Sequence, residues 1–246
     1  MRSGCRSVAF TYNDPVIFLE YAIDVAQACH ERGIKTVAVS AGYISPEPRA
    51  EFFRHMDAAN IDLKGFTEGF YKRLCSGKLT AVLETLKYLK HETTVWLEIT
   101  TLLIPGENDS ANEIDAQSAW LMDHLGPDVP LHFTAFHPDW KMRDVPPTLP
   151  ETLKRARKIA MNAGLYYVFT GNVHDPAGQA TYCSGCGAVL IGRDWYDMTA
   201  WNLSADERCV KCGAHCHGVF ESQAGRWGRR RQPLTIRGSE QESVGV

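Results

Sequence analysis

Long apolar runs are missing from this sequence. No segment carries the roughly 18 consecutive apolar residues that a membrane-spanning helix needs, and the N-terminus lacks the charged, apolar and small-residue series of a secretory signal. A membrane partner is therefore not expected, and the chain reads as cytoplasmic. An excess of charge is missing too, since 26 Lys and Arg against 29 Asp and Glu leave a net charge of -3. That balance argues against nucleic acid as a dominant partner and for a small-molecule or protein substrate. No internal repeat appears beyond a recurring strand and helix unit. Cysteine is sparse over most of the chain, where Cys5, Cys29 and Cys75 stand apart, and dense only in the last quarter.

What is present is an alternating pattern. With 246 residues, 44% of them hydrophobic and 22% charged, the chain can form one large α/β domain, or a main domain plus a small appendage. Ser7 to Pro15, SVAFTYNDP, sets the plan. Val8, Ala9 and Phe10 suit a short strand covered on both faces, and Asp14 before Pro15 is a helix start, Asp as N-cap and Pro at the first helical position. The apolar residues Ile17, Tyr21, Val25 and Cys29 recur at helical spacing up to Gly33, and a strand follows from Lys35 to Ser40. Ser45 and Pro46 start a helix to about Met56, before a strand from Ala59 to Lys64. Thr67 caps a short helix, and Lys78 to about Lys90 forms a longer one. Val95 to Leu103 is a strand. Ser110 with Glu113 makes a capping box for a helix through about Leu125. Pro130 to Phe136 is a strand, Pro150 to Ala163 a helix, and Leu165 to Phe169 the last strand. Such alternation implies a parallel sheet with right-handed crossovers, either open or a complete or partial barrel.

The strands end on polar residues. The first delivers Thr11, Tyr12, Asn13 and Asp14, and the second Ser40 and Gly42. The third delivers Asp62 and Lys64, the fourth Glu98, Thr100 and Thr101, the fifth His132 and His137, and the sixth Gly171 and Asn172. Residues two apart share a strand face, so Asp62 lies with Lys64, and Trp96 with Glu98 and Thr100. Any one of these admits a structural account, a simple Asp62–Lys64 ion pair for instance, and His132 reads as a satisfied core or rim residue. Strand after strand ending this way has the composition of a ligand site at the carboxyl ends of a parallel sheet.

At these residues the chain resembles the radical S-adenosylmethionine (SAM) enzymes, and most closely the one associated with the AmmeMemoRadiSam system, a relative of the pyruvate formate-lyase activating enzymes. The resemblance runs from about Cys5 to Phe220 and rests on AFTYNDP, AGYI, NIDLKGF, TTLLIPGEND, HFTAFHPDWKM, GLYYVFTGN and two CxxC pairs, in that order. It implies an open βα barrel in which a [4Fe-4S] cluster reduces S-adenosylmethionine to give a 5′-deoxyadenosyl radical. That radical would abstract hydrogen from a substrate, a protein among the options, with flavodoxin or ferredoxin as electron donor. By the same resemblance Thr11, Tyr12, Asn13 and Asp14 hold the methionine amino group, and Ser40, Gly42, Asp62, Lys64 and His137 complete the cofactor site.

Asp14 stands where the family has glutamate, one methylene longer, and Ala41 where asparagine precedes Gly42. The family's cluster loop, CxxxCxxC, would precede the TYNDP unit, where this sequence offers Cys5 alone. The expectation is therefore a partial barrel over residues 1–178 with its first βα unit missing, exposing the edge at Val8 to Thr11, and without reductive SAM cleavage as it stands.

Residues 179–222 form a second unit. Cys183-x-x-Cys186 and Cys209-x-x-Cys212 can present four thiolates tetrahedrally, which points to structural zinc, with a redox dithiol or a second iron-sulfur cluster as alternatives. Cys216 is a spare. Residues 223–246 read as a disordered tail, with a basic run at Arg226 and Arg229 to Arg231. Two other functions fit the residues less fully. One is a non-enzymatic zinc-ribbon interaction protein on a barrel scaffold. The other is a hydrolase holding a metal through Glu98, His132, His137 or Asp139.

Overall fold

The computed structural model describes residues 5–225; the basic run and most of the expected tail lie outside them. Six strands make one sheet: β1 (Ser7–Phe10), β2 (Lys35–Ser40), β3 (Ala58–Asp62), β4 (Trp96–Leu103), β5 (Leu131–Ala135) and β6 (Val168–Gly171). They pair in parallel and in chain order, β1 to β6. An order without reversal means that each right-handed crossover lands on the same side, so the helices cover one face of the sheet and leave the other for a lumen.

The helices between them are α1 (Leu19–His30), α2 (Pro46–Phe53), α3 (Glu68–Phe70), α4 (Leu79–Glu92), α5 (Ala111–Leu125) and α6 (Pro150–Asn162). Their apolar stripes define the core. On α4 the residues Val82, Leu86 and Leu89 are buried, on α5 Ile114, Leu121 and Leu125, at the spacings that keep a helix face toward a sheet. They meet Ile61, Leu97, Ile99 and Leu103 of β3 and β4, all buried, and each fully buried aliphatic side chain contributes about 1.5–3 kcal/mol of transfer free energy.

The opposite face carries the alternate residues. Register places Val37, Ala58 and Trp96 in one row, Asn60 beside Glu98 in the next, and Asp62, Thr100, His132 and Phe169 in a third. These side chains are only partly buried.

Beyond shifts of one or two residues at element ends, such as β3 stopping at Asp62 before Lys64, the expected and observed elements differ in four places. β1 is not covered on both faces: Ser7 and Ala9 are exposed while Phe10 is buried, because the described residues place a neighbour on only one side of it. Asp14 and Pro15 open a short 3₁₀ turn, Pro15–Phe18, before α1 begins. The helix from Pro46 stops at Phe53, where Arg54, His55 and Met56 close it with backbone turns. The last strand begins three residues later than the apolar run suggests, since the Leu165 N–H bonds back to Ala160 O and that of Tyr166 to Pro127 O.

After a short helix α7 (Pro176–Gln179) come three antiparallel strands, β7 (Thr181–Tyr182), β8 (Val189–Asp194) and β9 (Asp197–Trp201). They pack a second small core that includes Leu190, Ile191, Leu203 and the rings of Tyr167 and Phe169. No helix among the described residues is long and apolar enough to cross a membrane.

Candidate functional site

The turn after β1 is fastened to the turn after β2. Asp14 extends one carboxylate oxygen to the Val16 N–H at 3.1 Å, capping the 3₁₀ turn, and to Ser40 Oγ at 2.9 Å. Its other oxygen accepts from the Ala41 N–H at 2.8 Å, and Ser40 Oγ accepts in turn from the Gly42 N–H at 3.0 Å. Gly42 is held at φ +66, and a Cβ there would lie 2.8 Å from Ile61 Cγ2. Thr11, Tyr12 and Asn13 are exposed ahead of this bracket, and Tyr12 adopts φ 69, a left-handed backbone uncommon for an aromatic residue.

At the end of β3, Lys64 Nζ lies 2.6 Å from Asp62 Oδ2. The Lys64 backbone is fixed from both sides: its N–H donates to Tyr71 Oη at 3.1 Å and its carbonyl accepts from Asn108 Nδ2 at 2.7 Å. Tyr71 lies in a π-helical turn, Tyr71–Cys75, and burial pushes its hydroxyl above the usual range. His137 is exposed in the loop after β5. Among the described residues no hydrogen bond or ion pair joins Asp62, Lys64 or His137 to the Asp14 bracket. The expected cofactor residues thus fall into the Asp14, Ser40 and Gly42 bracket with the exposed Thr11 to Asn13 turn ahead of it, the Asp62–Lys64 pair and one separate histidine, all at the carboxyl ends of strands.

A second polar group lies deeper on the same sheet face. Glu98 accepts from Trp96 Nε1 at 3.0 Å and pairs with His132 Nε2 at 2.8 Å. Burial would raise the Glu98 carboxyl, but the His132 bond and charge, with Trp96 and the Arg193 guanidinium, hold it below its ordinary value. His132 is therefore satisfied by a partner on the neighbouring strand. A cavity of about 930 Å³ opens against this face and is closed on its far side by the C-terminal unit. None of the nine expected cofactor residues lines it. Its lining instead includes Arg193, Trp195, Tyr167 and His217, which the sequence pattern did not single out. Tyr167 stands immediately before β6, within the run read as the last strand, while Arg193, Trp195 and His217 carry no local signal because they meet the sheet only through the packing of β8 and the loops after it.

The four cysteines of the two CxxC pairs converge. Their sulfur atoms all lie within 4.8 Å of one another, with Cys183 Sγ 3.5 Å from Cys212 Sγ and Cys186 Sγ 3.8 Å from Cys209 Sγ. Gly187 and Gly213, both at positive φ, turn the chain after each pair, and the amides of Gly187 and Gly213 bond back to Cys183 O and Cys209 O. Such a set could hold a metal ion, as in a zinc ribbon. Cys216 is buried beside it without joining it, and burial raises its thiol.

A [4Fe-4S] cluster at the strand ends does not fit the described residues. The four-cysteine set is the one group of three or more close metal-ligating side chains among them, and it belongs to the C-terminal unit. Cys5 and Cys75 are exposed and Cys29 is buried on α1.

The sequence matches the family model of the Radical SAM superfamily over residues 1–117. A curated protein of Methanocaldococcus jannaschii, itself described as uncharacterised, is 40% identical over 214 residues, 87% of this chain and 63% of the relative. The chain thus spans less than two thirds of that relative's length. Among solved structures, a domain of the pyruvate-formate lyase-activating enzyme from Bacteroides vulgatus superposes with a TM-score of 0.59 at 20% identity, covering 67% of this chain and 98% of that domain. A radical SAM methyltransferase from Sphaerobacter thermophilus gives a TM-score of 0.54 at 14% identity, over 64% of this chain and 48% of the other. At these identities the likeness to the solved structures is one of fold. The chain therefore carries a Radical SAM superfamily match over residues 1–117, within a six-stranded parallel α/β fold of the radical SAM type.

Proposed function

We propose that this chain is the SAM-binding part of a radical SAM enzyme of the AmmeMemoRadiSam type, with S-adenosylmethionine bound across the carboxyl ends of β1, β2, β3 and β5. The observation that carries the reading is the bracket of Asp14, Ser40, Ala41 and Gly42, which anchors the exposed TYN turn at the carboxyl end of β1. In this reading Thr11, Tyr12 and Asn13 present polar atoms to the methionine amino group, Asp14 positions them, and Gly42 lets the turn after β2 close against Ile61. In the same reading Lys64, paired with Asp62, and His137 meet the rest of the cofactor.

The cluster of such an enzyme supplies the electron that breaks SAM. Residues 5–225 bring no three thiolates to the strand ends, so the reading assigns those ligands to a polypeptide segment other than these residues, and no reaction step is derived through the cluster. A protein substrate and a flavodoxin or ferredoxin donor belong to that complete enzyme, as does a cytoplasmic location. Zinc in the C-terminal four-cysteine unit is structural. In this reading residues 1–178 and 179–222 are separate domains.

The test is anaerobic expression of this chain with iron and sulfide, followed by iron and zinc counts and calorimetric titration with SAM. One zinc, negligible iron and measurable SAM affinity that Asn13→Ala and Lys64→Ala weaken is the expected result. Zinc without SAM affinity would favour the alternative of a non-enzymatic zinc-ribbon interaction protein, for which the converged thiols are the supporting observation.

A further inference from the structure

The charged side chains around the 930 Å³ cavity are mostly spoken for. Lys35 Nζ pairs with Asp57 at 2.7 Å, Arg54 pairs with Glu51, and both Glu98 oxygens are taken by Trp96 and His132. Arg193 is the exception. No carboxylate among the described residues lies within 4.0 Å of its guanidinium, which is anchored through Nη1 alone, to Gln179 O at 3.0 Å and Thr181 Oγ1 at 2.9 Å. Its Nε and Nη2 have no protein acceptor among the described residues. Glu98, its own oxygens bonded to Trp96 and His132, acts on this charge without touching it, and a partly enclosed guanidinium with no carboxylate in contact gains from an anion that meets it. Burial lowers its pKa accordingly, an effect that Glu98 and Cys216 oppose from further off.

The remaining walls are flat. His132 stacks on Phe169 with ring centroids 5.0 Å apart, Arg193 lies 5.8 Å from the Phe169 centroid, and Trp96 lines the same side. Trp195 stands at the rim in a left-handed backbone, φ 54, held there by its N–H to Gln179 Oε1 at 3.1 Å and by the His174 ring stacked on it at 6.3 Å. A bulky residue kept in that conformation is a local cost that the surroundings must offset. The volume falls in the range of small-molecule sites, which pair apolar walls with a few fixed polar groups.

We propose that this cavity, between the β1–β6 sheet and the C-terminal unit, binds a small planar aromatic anion, a carboxylate or phosphate, whose ring lies against Trp96 and Phe169 and whose charge meets the free edge of Arg193. The inference does not rest on the SAM reading, since none of the residues in that site lines the cavity.

The test uses the full chain as purified with its metal. Indole-3-acetate and phenyl phosphate are titrated by calorimetry, with their neutral counterparts indole-3-acetamide and phenol as controls. The anions should bind roughly tenfold or more tightly than the neutral analogues, and Arg193→Gln should erase that preference while Arg193→Lys keeps part of it. Phe169→Leu, which does not touch the Arg193 bonds to Gln179 O and Thr181 Oγ1, should weaken acid and amide alike by roughly fivefold or more; this variant keeps the test decisive if Arg193→Gln alters the melting curve. Saturating SAM should leave the anion affinity within about twofold. Equal affinity for anion and neutral analogue, an Arg193→Gln variant with unchanged preference, or displacement of the anion by SAM would each overturn the proposal.

Discussion

Asp14 and Ser40, 26 residues apart in the chain, are joined by a 2.9 Å hydrogen bond that ties the first strand turn to the second. The Asp14 carboxylate bonds the Val16 and Ala41 amides as well. Asp14→Ala would strand the Val16 and Ala41 amides and the Ser40 hydroxyl together, and should cost about 1–3 kcal/mol in a urea titration. Asp14→Asn, which can still accept, should cost less. Equal stability of wild type and Asp14→Ala would show that the bracket is ornamental.

Gly42 should tolerate no side chain. Alanine there combines φ +66 with a Cβ placed 2.8 Å from Ile61 Cγ2, so Gly42→Ala should lose about 1–3 kcal/mol, read as a lower melting temperature, whether or not a cofactor is present. Gly33 is also at φ +66 but has nothing near, and Gly33→Ala should show only the backbone part of that loss.

Asp57 makes acid stability measurable at one residue. Burial would raise its carboxyl, but bonds from Lys35, the Thr36 N–H and His30 together hold it down to about 2, from an ordinary 3.8. A native value below the unfolded one means stabilisation that is fully present above the unfolded value and lost as pH falls through the native one. The stability gap between wild type and Asp57→Asn should therefore be about 1–2 kcal/mol at neutral pH and close between about pH 4 and pH 2. A gap that stays constant over that window would remove the assignment.

The converged cysteines predict one zinc per chain. Cys183→Ser or Cys209→Ser, each removing a buried thiol, should reduce bound zinc to a small fraction and expose the Leu190 and Ile191 core to amide exchange, while the β3 and β4 amides stay protected. Cys216→Ser should leave the zinc count unchanged. If it drops, the fifth cysteine is a ligand after all.

Much of this architecture was legible because local rules carried it. The strand Lys35–Ser40 is observed residue for residue, since alternation is clear and Gly33 punctuates its start. Thr67 caps Phe70 N as its type suggests. Ser110 likewise caps Glu113 N, but the other half of that capping box is absent: the Glu113 carboxylate reaches instead to the Phe66 N–H at 2.7 Å, 47 residues away. Such a partner depends on tertiary placement that spacing does not encode. The same holds for Leu165, Tyr166 and Tyr167, whose apolar run reads as strand although helix α6 and Pro127 claim the first two. Among the polar strand ends, the Asp62–Lys64 ion pair that spacing allowed is formed. The Glu98–His132 pair needed the register between β4 and β5, and the Arg193 wall needed the docking of a separate sheet, so neither followed from pattern alone.

The chain-order sequence of the six parallel strands bears on how the protein is made. A polypeptide growing from its N-terminus would add each new strand to the one just finished, with a helix already at hand to cover the pair. Assembly could thus run in one direction, like a fan opened from one end, with no strand waiting for a distant partner. Only seating the cysteine-bearing unit against Tyr167 and Phe169 would wait until all six strands were in place.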